Sequence, residues 1–294
     1  MKNTEGNNKM NKESLPFEID LKDKVVVITG AAGVICGELA SAFAACGAKV
    51  AVMDLNQVKA DEKAEEIRKE GGIAKGYAAN VLSKEDLEKA HELVLKDLGP
   101  CDILVNGAGG NSPKATTTEE HYGDLKGQED VISFFDLKEE GVQFVFNLNF
   151  LGTLLPTQVF AKDMLGKEGC SILNISSMNA FTPLTKIPAY SAAKAGISNF
   201  TQWLAVHFAK EGIRVNAIAP GFFSTAQNKA LLWNDDGTPT ARTGKILAAT
   251  PMGRFGEVSE LVGSTLFLSS PKAAGFITGV VLPIDGGFSA YSGV

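Results

Sequence analysis

The sequence is poor in the residues that staple small folds or hold metals. Four cysteines occur in 294 residues, Cys36, Cys46, Cys101 and Cys170, and none forms a C-x-x-C pair. A chain this long needs no disulfide framework, so the thiols read as reduced and structural, as in a cytoplasmic protein. Three histidines, His91, His121 and His207, are scattered and offer no metal-ligand cluster. No apolar run reaches the length of a membrane span. Residues 1–20 are polar, lack the apolar stretch of a secretory leader, and read as a solvated tail. A net charge of −6 gives no basic footprint for nucleic acid or an anionic membrane. No G-x-S-x-G occurs, which removes the nucleophile elbow of an α/β-hydrolase.

Glycine, by contrast, is plentiful at 31 residues. It punctuates an alternation of short β-branched runs and helical stretches. Strands are predicted at 25–29, 49–54, 73–79, 102–106, 171–176, 213–219 and 276–284. Helices are predicted at 38–47, 57–72, 83–99, 139–166, 189–211 and 257–270. Such alternation implies an α/β fold: a Rossmann-type, doubly wound parallel sheet of seven strands in a single domain over 21–294. Ligands of such sheets sit outside the carboxyl ends of the strands. Residues 30–37, 54, 80–81, 106–111, 176–181 and 220–225 fall there and should ring one crevice.

The first strand runs into Gly30-Ala31-Ala32-Gly33-Val34-Ile35-Cys36-Gly37 and then a helix. Glycines let backbone amides approach a pyrophosphate, and the helix N-terminus favours negative charge. Asp54 closes the second strand, 24 residues after Gly30, where a carboxylate can bond ribose hydroxyls and repel a 2′-phosphate. No Lys or Arg lies between 30 and 48, so NAD is expected rather than NADP. A plain turn and a helix cap are the structural alternatives for these residues. Further along, Tyr190 and Lys194 stand at i, i+4 on one helix face, just after a strand ending in Ser176 and Ser177. An ammonium beside a phenol favours phenolate, so the tyrosine pKa is expected to fall toward neutrality and suit acid/base work.

With these residues in view, the chain resembles the short-chain dehydrogenase/reductase family over about residues 22–288. Thr29-Gly30, Asn106-Gly107-Ala108-Gly109, Asn149, Ser177, Tyr190, Lys194, Arg214-Val215-Asn216, Pro220-Gly221, Thr225 and Asp285-Gly286-Gly287 carry the resemblance. It implies hydride transfer between NAD(H) and a carbon bearing hydroxyl or carbonyl. Tyr190 would be the acid/base, Lys194 its tuner, Ser177 the hydrogen-bond donor to the reacting oxygen, and Asn149 the anchor of a relay water. Gly30, Gly33, Val34, Ile35, Asp54, Leu55, Asn80, Val81, Asn106, Ala108, Gly109, Pro220, Gly221, Phe223 and Thr225 would join Tyr190 and Lys194 around the cofactor. The resemblance also implies a homotetramer. The chain departs from the family at four points: Val34 and Cys36 stand where turn glycines are usual, Asn80 replaces an aspartate, and Gly107 replaces an asparagine.

Two segments exceed the family minimum. The insert 111–140 has three lysines against eight carboxylates, a net −5; the lid-like stretch 222–256 is net +2 and holds two of the four arginines. Arginine recognises carboxylates through a planar fork. A polar, anionic small-molecule substrate is therefore expected, touched by Asn111, Asn179, Gln227 and Arg242. The runs 106–114, 148–157, 176–186 and 285–294 resemble the D-mannonate oxidoreductase (fructuronate reductase) branch. A dehydrogenase of another sugar acid or a neutral polyol, and a non-catalytic nucleotide-binding protein, are the alternatives. A methyltransferase would give no reason for Ser177, Tyr190 and Lys194 together.

Overall fold

β-Branched runs set the sheet of this chain, described here from a computed structural model covering residues 18–125, 129–224, 232–234 and 236–293. The strands are β1 (Val25–Thr29), β2 (Lys49–Asp54), β3 (Ile73–Ala78), β4 (Ile103–Asn106), β5 (Ser171–Ile175), β6 (Arg214–Pro220) and β7 (Val281–Ile284). All pair in parallel, in the order β3-β2-β1-β4-β5-β6-β7. β1 and β5 are buried at every position, as strands covered on both faces must be. The seven-stranded, single-domain expectation therefore holds. The predicted tail lies almost wholly outside the described residues.

Helices α1 (Val34–Ala45), α2 (Gln57–Lys69) and α8 (Glu260–Ser269) cover one face, packing Leu39, Phe43, Ile67 and Leu268 onto Val26, Ile28, Val50 and Val52. Helices α3 (Lys84–Asp97), α5 (Gly152–Phe160) and α6 (Pro188–His207) cover the other, packing Leu87, Val159, Phe160 and Leu204 onto Val27, Leu104 and Val215. Burying one such side chain contributes about 1.5–3 kcal/mol. Ser83 caps α3 by accepting the Asp86 N–H at 3.2 Å.

The structure differs from the sequence expectation in several places. α1 begins at Val34, because Gly33 already serves as its N-cap. The predicted helix 139–166 is α4 (Glu139–Phe146), a π-turn (Asn147–Leu151), α5 and a 3-10 turn (Ala161–Met164). The last strand pairs only over Val281–Ile284. A short helix, α7 (Ala241–Ala248), forms within 222–256, capped by Thr240. The stretch Glu139–Met164 is long and apolar enough to cross a membrane, yet half of it is buried, with Val159, Phe160 and Met164 in the core.

The insert is a series of 3-10 turns tied down by backbone bonds. Thr117 N–H donates to Lys186 O (2.9 Å), Thr118 N–H to Ile132 O (2.9 Å) and Lys138 N–H to Lys114 O (3.0 Å). It thereby lies against the loop that leads into α6.

Candidate active site

Parallel strands bring their carboxyl ends to one edge of the sheet, and a groove of about 650 Å³ runs along it. Of the predicted cofactor residues, Gly30, Gly33, Val34, Ile35, Asp54, Leu55, Asn80, Val81, Ala108, Gly109, Gly221 and Phe223 line this groove. Cys36, Ala79, Gly107, Leu148 and Phe222 line it too, though none was named as a cofactor contact. Adjacency to Gly221 was the available signal for Phe222. Asn106 and Pro220 stand behind the groove in buried strands. Asn106 donates to Thr157 Oγ1 (3.0 Å) and Asn174 Oδ1 (2.9 Å), bridging β4 to α5 and β5. Thr225 and Gln227 lie outside the described residues.

Close backbone approach explains the glycines. Gly30 has φ +67°, and a Cβ there would sit 3.0 Å from Ala108 Cα. Thr29 Oγ1 accepts from Gly107 N–H (3.0 Å) and Ala108 N–H (3.2 Å), tying the end of β1 to the end of β4. Sequence reasoning had not assigned Thr29 this part. Gly33 caps α1 without a side chain, so the first-turn N–H groups have no side-chain acceptor and border the groove. Asp54 accepts from Ala32 N–H (3.2 Å) and Asn56 N–H (3.1 Å), which holds its carboxylate beside the turn. Asn80 Oδ1 accepts from Leu82 N–H (3.0 Å) in the loop after β3.

Two departures from the family pattern are one packing solution. A Cβ on Gly107 would collide with Cys36 Sγ. The thiol occupies the space that a side chain at 107 would need. Burial pushes that thiol up to about 12, so it stays protonated.

At the end of β5, Ser177 opens a 3-10 turn (Met178–Ala180), its Oγ accepting the Asn179 N–H at 3.3 Å. Pro188 starts α6, and Tyr190 and Lys194 follow one turn apart. Ser176 Oγ donates to Lys194 O (3.2 Å) and pairs with Ser198 Oγ (2.7 Å), fixing α6 on the strand end. Lys194 Nζ donates to Ile175 O (2.8 Å) and lies 5.6 Å from the Tyr190 ring centre.

The expected depression of the tyrosine pKa is not found. Burial raises the Tyr190 phenol, and the Ser177 hydroxyl, hydrogen-bonded to it, works in the opposite direction. Burial also lowers Lys194 to about 8. Desolvation outweighs the pairing because the ammonium is held at the Ile175 carbonyl, beneath the ring.

Asn149 sits fully buried in the π-turn, a helix defect frequent at functional sites. Its Nδ2 donates to Gly110 O (2.7 Å) and Val145 O (2.8 Å), and its Oδ1 accepts from Gly110 N–H (3.3 Å). Gly109 is the hinge between groove and chemistry: a Cβ there would lie 2.7 Å from Asn149 Oδ1 and 3.2 Å from Lys194 Nζ. The inner end of the groove therefore abuts the lysine and the asparagine.

Among the substrate candidates, Asn179 is buried and its Oδ1 has no partner. Asn111 is exposed, and its amide donates to Thr116 Oγ1 (3.0 Å) within the insert. Arg242 lines a second cavity, beside α7. Arg214 stands at the opposite end of β6, donating to Leu268 O (2.6 Å) and Ser269 O (3.1 Å) at the close of α8, so its part is structural. No metal-binding cluster occurs among the described residues.

Comparison with known proteins agrees. Residues 24–235 match the model of the short chain dehydrogenase family. An "Uncharacterized oxidoreductase" of Haemophilus influenzae is 60% identical over 276 residues, 94% of this chain and 96% of the relative. A solved structure described as "a putative D-Mannonate oxidoreductase" of Haemophilus influenza with bound NAD is 59% identical, with TM-score 0.92, covering 95% of this chain and 99% of that one. A gluconate 5-dehydrogenase of Burkholderia cenocepacia, in complex with NADP and tartrate, is 28% identical with TM-score 0.79, covering 94% and 99%. A family match of this extent, beside a relative so similar, means that the protein is an oxidoreductase and belongs to the short-chain dehydrogenase/reductase family.

Proposed function

We propose that the protein is an NAD(H)-dependent oxidoreductase interconverting hydroxyl and carbonyl at one carbon of a sugar acid, of the D-mannonate/D-fructuronate class. The observation that carries this reading is the junction at Gly109, where the nucleotide-sized groove meets Lys194 and Asn149. The residues present fit a dinucleotide. Gly30 and Gly33 leave room for a pyrophosphate, the bare N-terminus of α1 favours its charge, and Asp54 suits ribose hydroxyls while opposing a 2′-phosphate.

Bound there, the nicotinamide supplies or takes the hydride at the reacting carbon. Tyr190 Oη exchanges the proton of the reacting oxygen, and Ser177 Oγ holds that oxygen by a second hydrogen bond. The raised phenol pKa keeps Tyr190 protonated at neutral pH, which suits it to donate during carbonyl reduction. Lys194, close to half-charged near pH 8, passes the proton onward toward Asn149. Asn179 stands two residues after Ser177 in the same 3-10 turn, which keeps it a candidate for the substrate side. Segments 111–140 and 222–256 serve as insert and lid. The names borne by the 59%-identical and 28%-identical structures support a sugar acid. The second of them holds NADP and acts on gluconate, which keeps another sugar acid, and the other nucleotide, within the test.

The experiment is turnover at the NADH absorbance band with uronates, aldonates and polyols, using NAD(H) and NADP(H) in parallel. Wild type is expected to reduce a keto-uronate with NADH, and Tyr190→Phe to lose turnover while keeping NADH binding. Turnover with neutral polyols alone would remove the sugar-acid reading. Dependence on NADPH would remove the Asp54 argument, and NADH binding without turnover would favour a non-catalytic role. Exposed Phe144, Phe146 and Leu151, with Trp203 and Val206 on α6, support a homotetramer, and the reduced thiols support the cytoplasm.

A further inference from the structure

A second cavity, of about 340 Å³, opens between α7, the loop entering α6 and the insert. It shares Phe222 with the cofactor groove and is bordered by Ile187, the N-cap of the helix that carries Tyr190. It therefore lies between the groove and the start of the helix that carries Tyr190 and Lys194. Three cations line it: Lys186, Arg242 and Lys245.

Their surroundings differ. Lys245 Nζ is 2.7 Å from Glu120 Oε1 of the insert, a contact that pulls the Glu120 carboxyl below its usual range. Lys186 Nζ donates to Thr118 O and lies 3.7 Å from Glu119 Oε2. Asp124 adds a weaker attraction on Lys245. The Arg242 guanidinium, by contrast, has no hydrogen bond or ion pair among the described residues, although the same cavity holds a carboxylate. It stands in the first turn of α7, where positive charge opposes the helix dipole. Helix stability thus gives no reason for a cation there.

We propose that Arg242 is the receptor for the substrate's carboxylate. The acidic insert sets the valence of that site: Glu119 and Glu120 occupy the neighbouring lysines, so the cavity takes a sugar acid with one carboxylate and disfavours one with two. This deepens the sugar-acid reading and rests on it. The planar guanidinium offers two parallel donors to one carboxylate, a geometry that the ammonium groups lack. The acidic insert thereby becomes part of the selectivity.

The test uses the full-length enzyme with its nucleotide. Arg242→Gln, Glu120→Gln and a control on the exposed face of α3, Lys89→Gln, are assayed on a sugar acid and on the neutral polyol of the same skeleton. Arg242→Gln is expected to lower kcat/KM for the acid about 10- to 30-fold, carried by KM, while the polyol changes less than about threefold. Glu120→Gln frees Lys245 and is expected to tighten competitive inhibition by glucarate about three- to fivefold relative to gluconate. Equal losses on acid and polyol, no loss on either, or an unchanged glucarate-to-gluconate ratio would overturn the proposal. If wild type turns over no member of the panel, the functional reading fails separately. The carboxylate site is then read by titrating the enzyme–NADH complex with gluconate: weaker binding in Arg242→Gln supports it, and equal binding refutes it.

Discussion

The pairing of Cys36 with Gly107 makes a prediction that stands apart from any substrate. In wild type the thiol fills the space beside Gly107, and a Cβ at 107 would also come within 2.7 Å of Thr29 O. Gly107→Ala therefore overpacks the floor of the groove, at a cost of about 1–3 kcal/mol. Cys36→Ala removes only the sulfur. The small hole destabilises by about 1 kcal/mol, offset in part by alanine's better helix propensity in α1. In the double variant the new methyl takes the place of the sulfur. The two changes should couple favourably by about 1–2 kcal/mol, leaving the double variant more stable than Gly107→Ala alone. The Thr29 carbonyl still crowds the methyl, so recovery stays incomplete. Urea unfolding of the four proteins measures the cycle, and NADH titration follows the groove in parallel. Additive effects, with the double variant as unstable as the sum of the singles, would refute the compensation.

Two further outcomes follow from the buried site. Lys194 falls from the ordinary 10.5 to about 8 on folding, so its charged form is the disfavoured one. The folded protein therefore gains stability as pH rises from about 8 to 10.5, on the order of 3 kcal/mol in all. Measured against Lys194→Met, which lacks this titration, the wild-type advantage should grow across that window; a flat difference would refute the burial argument. Gly109→Ala inserts a methyl 2.7 Å from Asn149 Oδ1 and 3.2 Å from Lys194 Nζ. It should lower kcat about 100-fold, the scale of a 1 Å misplacement, while shifting the urea midpoint little. Near-normal kcat would show that the space between these groups carries no proton.

How much of this was legible in sequence depends on the range of each cause. The strands were, because β1 is a short β-branched run and β5 a short, mostly apolar one, each set between glycine-punctuated helical stretches. So was the meeting of Ser177 with Tyr190, since a strand end and the following helix start are neighbours in any parallel sheet. The π-turn was not legible. Its helical periodicity is intact in sequence, and the defect coincides with the Asn149 side chain taking the Val145 carbonyl that its own backbone N–H would use. Gly110, 39 residues away, completes that arrangement. The phenol pKa also failed, because spacing reveals that a lysine is near but not that Ile175 O holds it.

Segment charge is a coarser measure than the pairings within it. A sum over 111–140 treats its carboxylates as alike, yet Glu120 spends its charge on Lys245, 125 residues on, and Glu119 lies beside Lys186. Arg254 of the basic stretch is likewise bound to Glu260, which is held down to about 2. What matters at the cavity is the cation that these pairings leave over. Among the described residues that is Arg242, which a count of charge alone does not separate from Lys245, three residues further along the same helix.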